Sequence, residues 1–189
     1  MTWSILARDP ESGAVGAALC TRFFAAGALC LRAEGGVGVV ATQALVNPRF
    51  AAEGIERLRR GEAPQAALDA MVASDPGAAA RQVHLLDAAG AGARHTGAAC
   101  VDWAGHLAGP DLSLAGNMLA GPAVLEATRD AFLATAGQSL AERMIAALEA
   151  GEAAGGDKRG RQSAALLVAS ADPWPDLDLR VDDHTDPLA

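Results

Sequence analysis

At 189 residues the chain has the length of a single domain, residues 1–189, able to bury roughly two-thirds of the surface its unfolded form exposes. Hydrophobic residues make up 51% but aromatic ones only 4%, and there are 21 glycines, which predicts packing of small side chains with closely approaching backbones. A formal charge of −8 with scattered basic residues argues against nucleic acid and an anionic membrane surface as partners, and no apolar run reaches membrane-spanning length.

Thr2 to Arg8 is apolar with polar interruptions, and Asp9-Pro10-Glu11-Ser12-Gly13 after it suits a turn. Ala14 to Thr21 then reads as the returning strand of an antiparallel hairpin. A third strand, Val37 to Val46, follows the glycines at 35 and 36, so three core strands are expected before any helix. Asn47 as N-cap and Pro48 at the first helical position open a helix to Arg60, and Ala63 to Ser74 repeats the helical pattern. Gln82 to Asp87 and Ala93 to Thr96 read as strands around a turn, with a further short strand at Leu112 to Leu114. Helices are expected over Ala123 to Thr135 and Ser139 to Ala153, the second opening with Ser139 and Glu142 at capping-box spacing. Strands at Ser163 to Ser170 and Leu177 to Val181 close the chain.

Strands and helices thus come in blocks, an order that suits antiparallel sheets with outer helical layers and not a doubly wound parallel sheet. Val37 to Val40 and Ala165 to Val168 are apolar at consecutive positions, so both strands should be covered on both faces. Cys20, Cys30 and Cys100 are odd in number without Cys-x-x-Cys spacing, which argues against a disulfide framework or structural zinc and for small core hydrophobes. No long apolar stretch follows the first residues, so a reducing cytoplasm is the expected location.

Thr2-Trp3-Ser4-Ile5, Ala41-Thr42-Gln43-Ala44 before Asn47-Pro48, Gly116-Asn117-Met118-Leu119-Ala120-Gly121-Pro122, Gly155 to Ala164 and Arg180-Val181-Asp182-Asp183-His184 together resemble the bacterial domain-of-unknown-function family 1028. The similarity runs from Thr2 to about His184. That family is placed by fold among the N-terminal nucleophile (Ntn) hydrolases. The resemblance therefore implies an α+β, four-layer αββα sandwich of two antiparallel sheets.

In such a hydrolase the first mature residue attacks an amide carbonyl while its own α-amine accepts the proton. Thr2 fills both roles if Met1 is removed, and an unperturbed α-amine titrates near ~8, so a useful fraction is basic at neutral pH. Thr2 reads otherwise as a β-branched residue that begins a strand. Asn117 is a candidate oxyanion donor or a turn residue. Thr42 and Gln43 occupy an apolar strand and either line the pocket near Thr2 or make cross-strand hydrogen bonds. Between Gly155 and Ala164, Lys158, Arg161, Gln162 and Ser163 can present charge and donors to a carboxylate or amide, or form a solvated loop. His95 and His184 have no recognised ligand spacing, and Ser163 lacks the glycine framework of a nucleophile elbow. Gly35-Gly36-Val37-Gly38 leads into a strand, which fails the context for a phosphate loop.

These residues point to an amidohydrolase acting on a small amide or peptide-like substrate, without metal or cofactor. A non-catalytic domain holding an anionic metabolite through Arg161, Gln162 and Ser163 is the alternative. Self-association into a homo-oligomer is a further expectation for an antiparallel sandwich with Ala-rich helices.

Overall fold

The computed structural model describes residues 2–189. The expected opening hairpin is present: β1 (Thr2–Arg8) and β2 (Val15–Thr21) pair antiparallel from Trp3↔Cys20 to Arg8↔Val15. Asp9 closes its loop, one carboxylate oxygen accepting the Glu11 N–H and the other the Ser12 hydroxyl, while Gly13 takes φ 77°.

The chain next departs from the sequence expectation. A short helix α1 (Ala26–Cys30) and strand β3 (Leu31–Glu34) precede β4 (Gly38–Ala44), so four strands and a helical turn come before the first long helix. β3 is too brief for periodicity to reveal it. The glycine cluster is therefore the turn of a second hairpin, in which Leu31 pairs with Ala41 and Glu34 with Gly38. Close approach explains two of these glycines: a Cβ on Gly35 would lie 2.7 Å from the backbone of residues 171 and 172, and one on Gly38 would lie 2.4 Å from the Leu86 carbonyl oxygen.

Helices α2 (Arg49–Arg59) and α3 (Pro64–Ser74) follow. Asn47 caps α2 from one residue further out than expected, its Oδ1 accepting the Arg49 N–H at 3.2 Å. After a 3₁₀ turn at Ala78–Ala80 come β5 (Arg81–Asp87), β6 (Gly92–Thr96), β7 (Gly105–Gly109) and β8 (Leu112–Asn117). β7, with its two glycines, gave no sequence signal. α4 (Ala123–Ala134) and α5 (Leu140–Ala153) are next, and the Ser139–Glu142 capping box at the head of α5 forms as expected. β9 (Ser163–Ala169) and β10 (Leu177–Val181) end the chain.

The strands make two wholly antiparallel sheets, ordered β10-β9-β2-β1-β8-β7 and β3-β4-β5-β6. Alternation assigns each side chain to a layer. Trp3, Ile5 and Ala7 of β1 pack with Phe132 of α4 and Met144 of α5; Leu6, Leu19, Val39 and Leu167 meet between the sheets; Val40, Val83 and Leu85 pack with Phe50, Leu58 and Met71 of α2 and α3. The result is a four-layer αββα sandwich of the α+β class. β4 and β9 are covered on both faces, as their apolar runs required, β4 being buried along its length up to Ala44 and β9 throughout. Among the described residues no helix is long and apolar enough to cross a membrane.

Candidate functional site

Between the sheets the filling changes from apolar at one end to polar at the other. Thr2 and Ser4 share a face of β1, Ser113 and Asn117 a face of β8, and Gln82 and His84 a face of β5; these six side chains, with Gln43 of β4, are buried. They look inward at each other, so their hydrogen bonds must be made within the protein.

The bonds run in one direction. The Arg94 Nε donates to the Ser113 hydroxyl oxygen at 2.8 Å, and Ser113 in turn meets His84 Nδ1 at 2.8 Å. With its oxygen accepting from a guanidinium, Ser113 donates to Nδ1, which makes Nε2 the protonated nitrogen of a neutral imidazole. Nε2 donates to the Ser4 hydroxyl oxygen at 2.8 Å, and Ser4 donates to Gln43 Oε1 at 2.7 Å. Gln43 Nε2 donates to Gln82 Oε1 at 2.8 Å, and Gln82 Nε2 ends the chain on the Gly116 and Gly105 carbonyls and the Thr96 hydroxyl. Burial, with the nearby Arg94 and His106 charges, pushes the His84 pKa down to about 3, in keeping with this neutral tautomer. Ser4 and His84 have the contact of a nucleophile–base pair, but both are completely buried and no substrate reaches them. Their place is structural.

This network grips the first described residue. Gln43 Nε2 and Asn117 Nδ2 both donate to the Thr2 carbonyl oxygen, at 3.4 and 3.5 Å, and Asn117 Nδ2 also donates to Gln82 Oε1 at 3.0 Å. The Thr2 hydroxyl donates to the Thr21 hydroxyl oxygen at 3.1 Å. Thr2 pairs with Asn117 and Thr21 with Ser163, so one end of the larger sheet carries the row Asn117, Thr2, Thr21, Ser163.

The 155–162 loop folds onto that end. Gly155, Gly156 and Gly160 take positive φ, and the loop turns the Asp157 side chain inward, where it accepts the N–H groups of Arg22 at 3.0 Å and Arg159 at 2.8 Å and pairs with the Arg159 guanidinium. Beside it opens a cavity of about 730 Å³, lined by Arg22, Glu152, Arg161, Gln162, Asp183 and His184, among others.

The structure therefore separates the expected site residues. Thr2, Gln43 and Asn117 come together, and Arg161 and Gln162 line the neighbouring cavity. Thr42 faces the helical side instead, its hydroxyl donating to the Asn47 carbonyl at 3.3 Å. Lys158 reaches the Asp102 carbonyl at 3.2 Å. Ser163 is buried and donates to the Phe23 carbonyl at 2.6 Å. Arg161 lies between Glu152 at 2.8 Å and Asp186 at 2.9 Å, so its charge is already matched; Arg22 makes no ion pair among the described residues, and its guanidinium donates to the Arg159 carbonyl at 2.6 Å. His95 meets the Ala78 carbonyl at 2.9 Å. Cys20 and Cys30 are buried free thiols whose pKa values burial pushes up to about 12, as core hydrophobes would have. Expectations about Met1 lie outside the described residues.

Sequence reasoning passed over Ser4, Gln82, His84, Arg94 and Ser113. The alternation that could have found them, Thr2/Ser4 and Gln82/His84 at every second position, ordinarily means a strand face turned to water.

The model of a family of unknown function, DUF1028, matches residues 2–189. The crystal structure of protein SPO2555 from Silicibacter pomeroyi, of the same family, is 35% identical, superposes with a TM-score of 0.91, and is matched over 99% of this chain and 84% of that one. Anbu, an ancestral beta-subunit from Yersinia bercovieri, gives a TM-score of 0.43 at 11% identity, over 96% of this chain and 88% of that one. No curated protein matches the chain.

Proposed function

The chain belongs to the DUF1028 family of unknown function, and from that premise we propose an N-terminal nucleophile amidohydrolase of small amide or peptide-like substrates, with Thr2 as nucleophile and base. The observation that carries this reading is the grip on Thr2. Two side-chain amides, one from each sheet, converge on its carbonyl at the head of a central strand. A residue at the start of a chain ordinarily frays; one held from both layers is pre-organised for attack.

Once Met1 is removed, the Thr2 hydroxyl oxygen adds to the substrate carbonyl carbon while the α-amine takes the hydroxyl proton. The amine then protonates the leaving nitrogen as the C–N bond breaks, and water releases the acyl group from Thr2. Asn117 serves here as a positioning residue, because its amide already donates to Thr2 and Gln82, and backbone N–H groups are left for the oxyanion.

The test is the mass of the untagged protein before and after exposure to a β-lactone, an electrophile that acylates a nucleophilic N-terminal threonine. Loss of Met1 and a single adduct on Thr2, retained in Thr2→Ser and absent in Thr2→Ala, are expected. Quantitative retention of Met1, or labelling that survives in Thr2→Ala, would sink the mechanism.

One observation favours a second reading. Thr2 is only 5% exposed, whereas Arg22, whose guanidinium makes no ion pair among the described residues, lines the open cavity with Gln162. A non-catalytic domain would bind an anionic metabolite there, and Arg22→Ala would abolish the binding heat of inorganic phosphate.

A further inference from the structure

Strand β10 is the open edge of the larger sheet. It pairs with β9 on one side, and among the described residues no strand pairs with the other. All five of its residues are exposed, including Leu177 (39%), Leu179 (52%) and Val181 (37%). Edge strands with exposed apolar side chains invite pairing with another chain, and natural proteins normally blunt them.

The order of residues along β10 points to a particular partner. Leu177-Asp178-Leu179-Arg180-Val181 is complementary to itself when read in the opposite direction. In an antiparallel pair centred on Leu179, Asp178 of each copy stands opposite Arg180 of the other, Leu177 stands opposite Val181, and the two Leu179 meet. Shifting the centre by one residue either way sets Asp178 against Asp178 or Arg180 against Arg180, which like-charge repulsion disfavours. Just outside the strand, the favoured register brings Asp176 near a second copy's Asp182. Each has a counterpart in its own chain, the Ser170 hydroxyl and the Arg180 guanidinium respectively.

Both faces of the strand agree with this register. Leu179 and Val181, with Arg180 between them, border an apolar groove of about 340 Å³ with Ile145 and Leu148 of α5 and Pro187 and Leu188 of the C-terminal segment. Asp178 and Arg180 border a hollow on the opposite face with Gly27 and Leu31. A two-fold axis through Leu179 would run the groove of one copy into that of the other. The charged pairs would lie on the other face, occurring twice by symmetry.

We propose that β10 is the interface for a second copy of this chain, pairing antiparallel about Leu179 so that the two six-stranded sheets become one continuous sheet. The contact is isologous and closes on itself, so it ends at a dimer and does not propagate. It is independent of any activity at Thr2.

Sedimentation velocity on the full chain over a concentration series tests this. The wild type is expected at twice the 19.1 kDa monomer mass, and Asp178→Arg or Arg180→Asp alone at the monomer mass. The double swap Asp178→Arg with Arg180→Asp restores the opposite-charge pairs and should restore the dimer. As a check that does not depend on the swaps, Leu179→Cys should form an intermolecular disulfide on mild oxidation, because the two positions face each other across the axis. A wild type that stays monomeric, a dimer indifferent to the single swaps, a double swap that remains monomeric, or a Leu179→Cys chain that does not cross-link each overturns the proposal.

Discussion

Ser4 and His84 show how residue identity and residue role come apart. Each belongs to a polar face that alternation would assign to solvent, yet each is completely buried, and the two faces satisfy one another across the gap between the sheets. A chain of donors running from Arg94 to Gln82 leaves no room for a second proton on His84. Unfolded, the imidazole takes a proton below its ordinary value of 6.5; folded, it does so only near 3. The neutral histidine's contribution is therefore complete above pH 6.5 and lost progressively as pH falls towards 3, with a slope of at most ~1.4 kcal/mol per pH unit. Asp75, whose carboxyl Arg81 holds down to about 2, loses its contribution at lower pH, so the window from pH 7 to 5 isolates the histidines. Urea midpoints at pH 7 and pH 5 are expected to fall less in His84→Gln than in the wild type, although the variant is weaker at pH 7. Equal falls would mean that His84 does not set the slope. Thr2 was legible as a candidate through the family resemblance, since its position alone reads equally as a β-branched residue that begins a strand. Gln82 and His84 were not, because nothing local says what a strand face looks at.

At the scale of elements, the long helices and buried strands were legible from periodicity and capping, and the edges were not. Ser139 and Glu142 form the capping box their spacing announced. β3 and β7 lie at sheet edges, where short length and glycines erase the pattern. Element packing also overrules local propensity at Gly151 of α5. In an exposed helix an alanine there would gain about 1 kcal/mol. Here its Cβ would lie 2.4 Å from the Thr128 hydroxyl oxygen and 2.7 Å from the Trp3 indole nitrogen. Overpacking of that kind costs roughly 1–3 kcal/mol, so Gly151→Ala should lower the melting temperature. A rise in melting temperature would show that α5 can shift away from Trp3 at little cost.

For the molecule as a whole, the sandwich places β1, β2 and β9 inside the larger sheet with a strand on each side, and leaves β7 and β10 at its edges. Amide exchange should follow that order, slowest in β1 and β2 and fastest in β7, because interior ladders open only with the whole sheet. β10 should exchange quickly in dilute protein and become protected as concentration rises and the proposed dimer forms. Exchange in β1 as fast as in β7 would contradict this account of where the stability lies.

In the sequence, blocks of strands and helices, doubly apolar strands at residues 37–40 and 165–168, and the capped helices pointed to antiparallel sheets with outer helical layers, since those signals are local in the chain. The family resemblance implied the four-layer αββα sandwich. It also singled out Thr2 and Asn117. Only the tertiary structure decided that Asn117 donates to the Thr2 carbonyl, that Arg161 is matched by Glu152 and Asp186 while Arg22 lines the cavity without an ion pair among the described residues, and that a polar seam runs between the sheets. The reason is physical. A side chain's layer follows from its own strand, but its partners come from segments far along the chain, 115 positions away for Thr2 and Asn117 and 140 for Phe23 and Ser163, and hydrogen bonding depends on who arrives.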